Sequence, residues 1–255
     1  ITIKWVDCMD YAFYKSINEL NMNNIFNKSF LNYKKKWNEQ NYPNDRLIQL
    51  GKLTNILENH FEFDKVNCIE TGASWDWDDG LVGYYFADLT KQTGSKFISV
   101  DNDPNLKQKT IDAFAKIDPQ IQIEHFVEDS VKFLLNTKFI PNLVHLDSYN
   151  CDLTNPLPSA LHGWREFDAI RKRMPIGSII VIDDNYYGGN FQDWFHTWNG
   201  KLIKTERIHI TYPILGKGAH IYQYIKDNKT NWELLSNPAA GNQKVVIKKV
   251  SNEKE

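Results

Sequence analysis

The run SIIVIDDN, from Ser178 to Asn185, sets four apolar residues, Ile179 to Ile182, directly before two carboxylates and an amide. An unbroken apolar run of this length suits a strand buried on both faces, and Asp183, Asp184 and Asn185 then fall at its carboxyl end. A second run, NLVHLDSYN, ends its apolar part on Asp147. In the strand order 3-2-1-4-5 usual for open α/β sheets these two strands are neighbours about 4.8 Å apart, and three carboxylates converge. Like charges that close must take up a proton or bind a cation. A hard divalent ion such as Mg2+, which prefers oxygen ligands, meets that need, with Asp147, Asp183 and Asp184 as metal ligands and Asn185 as a neutral fourth candidate. The plainer reading, an Asp that only caps the next segment, uses one acceptor where several cluster.

Three earlier strand ends carry related groups. In VNCIETGASWDWDDG, Glu70 ends the strand and Gly72 enters the turn, where a missing side chain lets the backbone approach a ligand. This is no GxGxxG fingerprint, and the carboxylates of WDWDD disfavour a pyrophosphate, so a cationic ligand fits better; the alternative is an ordinary turn with a solvated acidic loop. In SVDNDP, Asp101 stands where such folds place a carboxylate on the two ribose hydroxyls, while Asp103 before Pro104 suits a helix cap. The third run leads into Glu128, Asp129 and Ser130, which suit either an adenine edge or a cap for the helix VKFLL.

The elements that must position these groups alternate along the chain. Short apolar runs from residue 66 onward (VNCIE, KFISV, IQIEHFV, NLVHLD, SIIVID) are separated by helical spacing near 81–92, 104–117, 129–136 and 159–174. That alternation predicts an α/β fold with a doubly wound, mostly parallel sheet. Beyond Asp184, FQDWFHTW reads as a helix. LIKTERIHIT and HIYQYIK read as an antiparallel strand pair around the turn YPILGKG, bringing the sheet to seven strands. Residues 1–61 read as an N-terminal helical extension, a lid or dimer surface. Its apolar spacing runs from Tyr11 to Leu20 and again from Leu47 to Leu57, around a polar stretch at 22–46. Residues 62–228 form the core, and 229–255 a polar, frayed tail.

A net charge of −2 and a pI near 6.4 give no long-range attraction to nucleic acid or anionic lipid. No stretch approaches the roughly 20 apolar residues of a membrane span, and ITIKWVDCMD is too charged for a signal peptide, so a cytoplasmic location is expected. Three cysteines without CxxC spacing point to neither disulfides nor zinc. The first residue, Ile1, suggests a domain of a longer chain.

Taken together, ETGAS, VDND, EDS, LDSYN and IIVIDDN resemble the class I S-adenosylmethionine-dependent O-methyltransferases, in the divalent-metal branch that includes catechol, caffeoyl-CoA and macrocin-type sugar methyltransferases. The resemblance spans about residues 66–226. It implies a Rossmann-like fold in which Glu70, Gly72 and Ser74 line the methionine side of S-adenosylmethionine, Asp101 holds the ribose, Asp129 and Ser130 lie by the adenine, and Asp147, Asp183 and Asp184 bind Mg2+. The catechol enzymes place a Lys base three residues beyond the first metal Asp; here that residue is Asn150, which leaves His162, Tyr149 and Asp152 as bases, or a metal-held acceptor with none. Aromatic residues crowd the expected rim (Trp75, Trp77, Tyr149, Tyr186, Tyr187, Phe191, Trp194, Trp198) and suit a sugar face or a phenol; at helical spacing such residues also suit a core. The expected partner is thus a small-molecule or glycan acceptor, a sugar hydroxyl before a catechol, with a homodimer compatible. A nicotinamide-dependent sugar enzyme would share the fold and Asp101 but needs a glycine-rich phosphate loop and a Tyr/Lys pair not found here.

Overall fold

Five apolar runs become parallel strands, and helices cover both of their faces. A computed structural model of the chain describes residues 24–40, 45–76, 81–152, 155–187, 194–198, 201–205, 214–227, 231–236 and 244–252. The strands are β1 (Cys68–Thr71), β2 (Phe97–Asp101), β3 (Ile123–Val127), β4 (Leu143–Leu146) and β5 (Ile179–Ile182). They follow the order β3-β2-β1-β4-β5, all parallel, and the antiparallel strands β11 (Val245–Lys249) and β10 (Trp232–Leu234) continue the sheet beyond β5. The result is the expected seven-stranded, mostly parallel, doubly wound sheet.

Alternation along the strands divides the core in two. Cys68, Phe97, Leu143, Ile179, Val181 and Val246 pack on one face against helices α1 (Ile25–Glu39), α2 (Asp45–His60), α3 (Val82–Gln92) and α4 (Pro104–Ile117). Ile69, Ile98, Val144, Ile180, Ile182 and Ile247 pack on the other against α5 (Ser130–Asn136), α6 (Leu157–Arg171) and α7 (Ala219–Asp227).

Several expectations are corrected. The polar stretch at 22–46 contains α1, whose Phe26, Phe30, Tyr33 and Trp37 recur at spacings of three and four and are buried, and whose first turn is capped by Asn24 Oδ1, which accepts from Phe26 N at 2.8 Å. Together with α2 it packs into the core. The helix expected over Tyr11–Leu20 lies outside the described residues. FQDWFHTW yields the strand β7 (Trp194–Trp198) in place of a helix, paired with β8 (Lys201–Thr205) in a separate hairpin. HIYQYIK is α7, turning Ile221 and Ile225 inward one helical turn apart, and a short pair, β6 (Asn185–Tyr187) with β9 (Ile214–Gly216), precedes it.

The tail is the largest correction. Val245, Val246 and Ile247 are fully buried beside β5, and Lys249 Nζ donates to the carbonyls of Arg171, Lys172 and Met174, satisfying the carboxyl end of α6. Ile247→Ala should therefore cost about 2–5 kcal/mol in denaturant unfolding. Removal of everything after Asp227 should abolish the cooperative transition; a truncated chain that melts like the full one would show the segment to be dispensable.

Candidate active site

Parallel strands present all their carboxyl ends at one sheet edge. The ladder carries Asp147 and Asp183 there, one residue past their strands: Asp147 N donates to Thr71 O at 2.9 Å and Asp183 N to Leu146 O at 3.0 Å. Register also pairs Glu70 directly with His145 on the face that holds Val181, so Glu70, His145 and Asp183 lie side by side across β1, β4 and β5.

All three are withdrawn from water. His145, fully buried, places Nδ1 3.2 Å from Glu70 Oε1 and Nε2 3.6 Å from Asp183 Oδ2, the second too long for a direct hydrogen bond. Burial works against its positive charge, but Asp183 and Glu70 override this and raise its pKa to about 9. Burial pushes the Glu70 carboxyl up, in part offset by His145. Burial opposes the charge on Asp183 too, yet Lys244 and His145 hold that carboxyl well below the usual range. Lys244 itself is buried and its Nζ donates to Asp183 Oδ2.

Lys217, just past β9 and 1% exposed, balances the other two carboxylates. Its Nζ lies 2.6 Å from Asp147 Oδ1, 2.9 Å from the Asp147 carbonyl and 2.9 Å from Asp184 Oδ2. Burial disfavours the ammonium, and Asp147 and Asp184 more than restore it, so its pKa is raised. Burial, outweighing Lys217, raises the Asp184 carboxyl. Asp184 has φ +52°, and Gly216, at φ +105°, crosses its carbonyl too closely for any Cβ.

Asp147, Asp183 and Asp184 thus converge as expected, but around lysines. Mg2+ at about 2.1 Å from these oxygens would have to displace Lys217. His145, Asp147 and Asp183 do bring three ligand atoms within 4.8 Å of one another, but Asp147 and Asp183 already accept from Lys217 and Lys244. The residues do not fit a divalent ion in this arrangement. Asn185, the fourth ligand candidate, is buried and holds backbone instead: Nδ2 donates to Ile182 O and Asp183 O, and Oδ1 accepts from Gly218 N at 2.6 Å.

At the β1 turn, Ser74 Oγ donates to Glu70 Oε1 at 2.9 Å and accepts from Gly83 N at 3.2 Å, so the completely buried Glu70 organises the turn from behind. Gly72, at φ +82°, is required by the backbone of Asp147 and Ser148, which an added Cβ would meet at 2.6–2.9 Å; the close neighbour is the chain itself. Asp101 accepts from Ala73 N at 3.0 Å and from Asp103 N at 2.8 Å, linking the ends of β1 and β2, and Asp103 caps α4 through Asn105 N. Asp129 caps α5 through Lys132 N.

Ser130 is buried and joins His162 in a second network. His162 Nε2 lies 2.9 Å from Ser148 Oγ and 3.1 Å from Ser130 Oγ, and Ser148 Oγ donates to the buried Glu166 Oε1 at 2.6 Å. With its proton directed to Glu166, Ser148 accepts from Nε2–H; in the tautomer that carries one ring proton, this makes Nδ1 the acceptor nitrogen. Tyr149, at φ +67° and 52% exposed, stacks on the imidazole with centroids 5.3 Å apart. Trp75 is exposed at the β1 loop; Trp77 and Phe191, and the side chains of Tyr187, Trp194 and Trp198, lie outside the described residues.

His145, Lys217, Lys244, Ser148 and Glu166 escaped sequence reasoning. An ionisable residue inside a strand buried on both faces, Glu70 or His145, was the available signal, since such groups are kept only with partners.

No protein-family model matches the chain, and no curated protein matches it. Among solved structures the chain is similar to the SAH-bound methyltransferase PaMTH1 of Podospora anserina, at 11% identity and a TM-score of 0.58, with 98% of this chain and 97% of that one covered. It is also similar to a candidate rRNA methylase of Clostridium thermocellum, at 8% identity and a TM-score of 0.50, over 80% of this chain and 97% of that one. The likeness is one of fold, the Rossmann-like methyltransferase fold.

Because the pKa of His145 is raised from 6.5 to about 9 on folding, its contribution is complete below pH 6.5 and is lost as pH rises through about 9. Chemical denaturation across that window should show a loss on the order of 1–3 kcal/mol that His145→Gln abolishes. An unchanged slope in the variant would place the charge elsewhere.

Proposed function

We propose that the protein transfers a methyl group from S-adenosylmethionine to a hydroxyl oxygen, most favourably of a sugar-like acceptor. One observation carries this reading. Asp101 stands at the end of β2 against the tight turn after β1, in a fold like that of PaMTH1. Asp101 would hold the ribose hydroxyls, the Gly72–Ser74 turn the methionine end, and Asp129 and Ser130 the adenine side. When bound, the cofactor supplies an electrophilic methyl on a sulfonium.

The chain's own residues then have to orient the acceptor and take its proton. Asp147 and Asp184 keep partly exposed carboxylate oxygens at the edge of the cluster, suited to accepting from neighbouring hydroxyls of a polyol. Exposed Trp75 and Tyr149 offer flat apolar faces for the ring. The carboxylate oxygens left at this mouth, those of Asp147 and Asp184, are acceptors that suit hydroxyl donors and not a phosphodiester backbone, so an uncharged acceptor is preferred over nucleic acid. His162, with Nδ1 as the acceptor nitrogen and Nε2 fixed through Ser148 and Glu166, is the general base of this proposal.

At about 100 times its Kd, S-adenosylmethionine should stabilise the protein by ~2.7 kcal/mol in thermal unfolding, whereas NAD should not. Asp101→Ala should weaken that binding by about tenfold or more. His162→Gln should lower kcat toward glycan or catechol acceptors by about 10²–10⁴ while leaving the S-adenosylmethionine shift intact. Absence of any shift with the cofactor would refute the reading, and a catechol methylated in preference to every glycan would move the acceptor to the phenolic alternative.

A further inference from the structure

We propose that Lys217 is the resident cation of this site, a positioning residue that holds Asp147 and Asp184 in place and leaves the site independent of divalent metal; as a statement about catalysis this rests on the methyl-transfer reading above. The geometry begins with the ammonium. Nζ touches three oxygens of two strand ends at 2.6–2.9 Å, which accounts for all three of its donors.

The backbone that carries it is clamped. Gly216 crosses the Asp184 carbonyl at φ +105°, and Gly218 donates to Asn185 Oδ1, an amide anchored on the last carbonyls of β5. An added Cβ at Gly218 would meet Asn185 Oδ1 at 2.5 Å, and on α6 one at Gly163 would strike the Lys217 carbonyl. Glycines at 163, 216 and 218 therefore let three elements close on the backbone that carries the lysine.

Lys244 settles the remaining carboxylate, so the two lysines answer the repulsion among Asp147, Asp183 and Asp184 from within the chain. Fixed in this way, the carboxylate oxygens keep the positions at which acceptor hydroxyls would be received. Loss of the ammonium would free Asp147 and Asp184 for a hard cation.

The test is a Mn2+ titration followed by the paramagnetic signal of the free ion, on the whole chain and on Lys217→Met. The wild type should bind no Mn2+ below millimolar concentration, and EDTA should leave its melting curve unchanged and its methyl transfer within about twofold. Lys217→Met should bind Mn2+ at least about tenfold more tightly, a gain that a merely structural role for the lysine would not produce. Micromolar Mn2+ binding by the wild type, or loss of transfer in EDTA, overturns the inference, as does a folded Lys217→Met that gains no affinity. If that variant does not fold, the two wild-type measurements decide. If S-adenosylmethionine never binds, the functional reading fails while the Mn2+ titration still decides the fate of Lys217.

Discussion

Charge neutralisation inside a parallel sheet is the constraint on which this structure turns. Parallel strands buried on both faces bring their carboxyl ends to one edge, and β1, β4 and β5 carry Glu70, His145, Asp147, Asp183 and Asp184 there. Each unpaired charge in such a place costs several kcal/mol, and removing one partner of a buried pair typically costs about 3–5 kcal/mol. The chain meets the constraint with cations from distant positions: Lys217 reaches Asp147 across 70 residues and Lys244 reaches Asp183 across 61. Local sequence alone could not supply them. The chain beyond β5 therefore has to fold back onto β4 and β5 before the cluster is tolerable.

That dependence explains the arrangement beyond β5. The β9–α7 turn brings Lys217 over the ends of β4 and β5, and β11 enters the sheet antiparallel so that Lys244, just before it, arrives beside Asp183 at the same edge. Running the other way, β11 delivers Lys249 to the carboxyl end of α6, where it satisfies three carbonyls. One short strand thus joins the site edge to the opposite edge of the sheet, and a charge is matched at each end.

Patterns with a short period were legible in the sequence. Strands β1 to β5, helices α2 to α6 and the Asp103 cap follow from apolar runs, 3.6-residue spacing and one acceptor before a proline. Helix α1 was obscured because NKSFLNYKKKWNE is polar on average, and only Phe26, Phe30, Tyr33 and Trp37 betray its buried stripe. Likewise HIYQYIK alternates over a few residues, where two periods fit equally well, and α6 packing against α7 decides for helix. At the site, the convergence of Asp147, Asp183 and Asp184 could be foreseen, but not what neutralises them. The three carboxylates do repel as the sequence implies, but the cations that answer them, Lys217 and Lys244, lie in segments whose sequence reads as a turn and a frayed end.

Backbone strain gathers at the same sheet edge without reference to charge. Among the described residues, the non-glycine residues with positive φ are Leu81, Tyr149 and Asp184. Each follows one of the strands that build the cluster: Leu81 opens the helix after β1, Tyr149 lies in the loop after β4, and Asp184 follows β5. Left-handed backbone at such residues costs about 1–3 kcal/mol apiece and persists only where surrounding contacts over-determine it. Those contacts are visible here: Gly216 against the Asp184 carbonyl, the His162 ring against Tyr149, and the burial of Leu81. Stability alone gives no reason to gather this cost at one edge of the sheet. The same three loops carry the acidic oxygens, the exposed ring of Tyr149 and the turn after β1, so strain and charge, two independent properties of the chain, gather at one place.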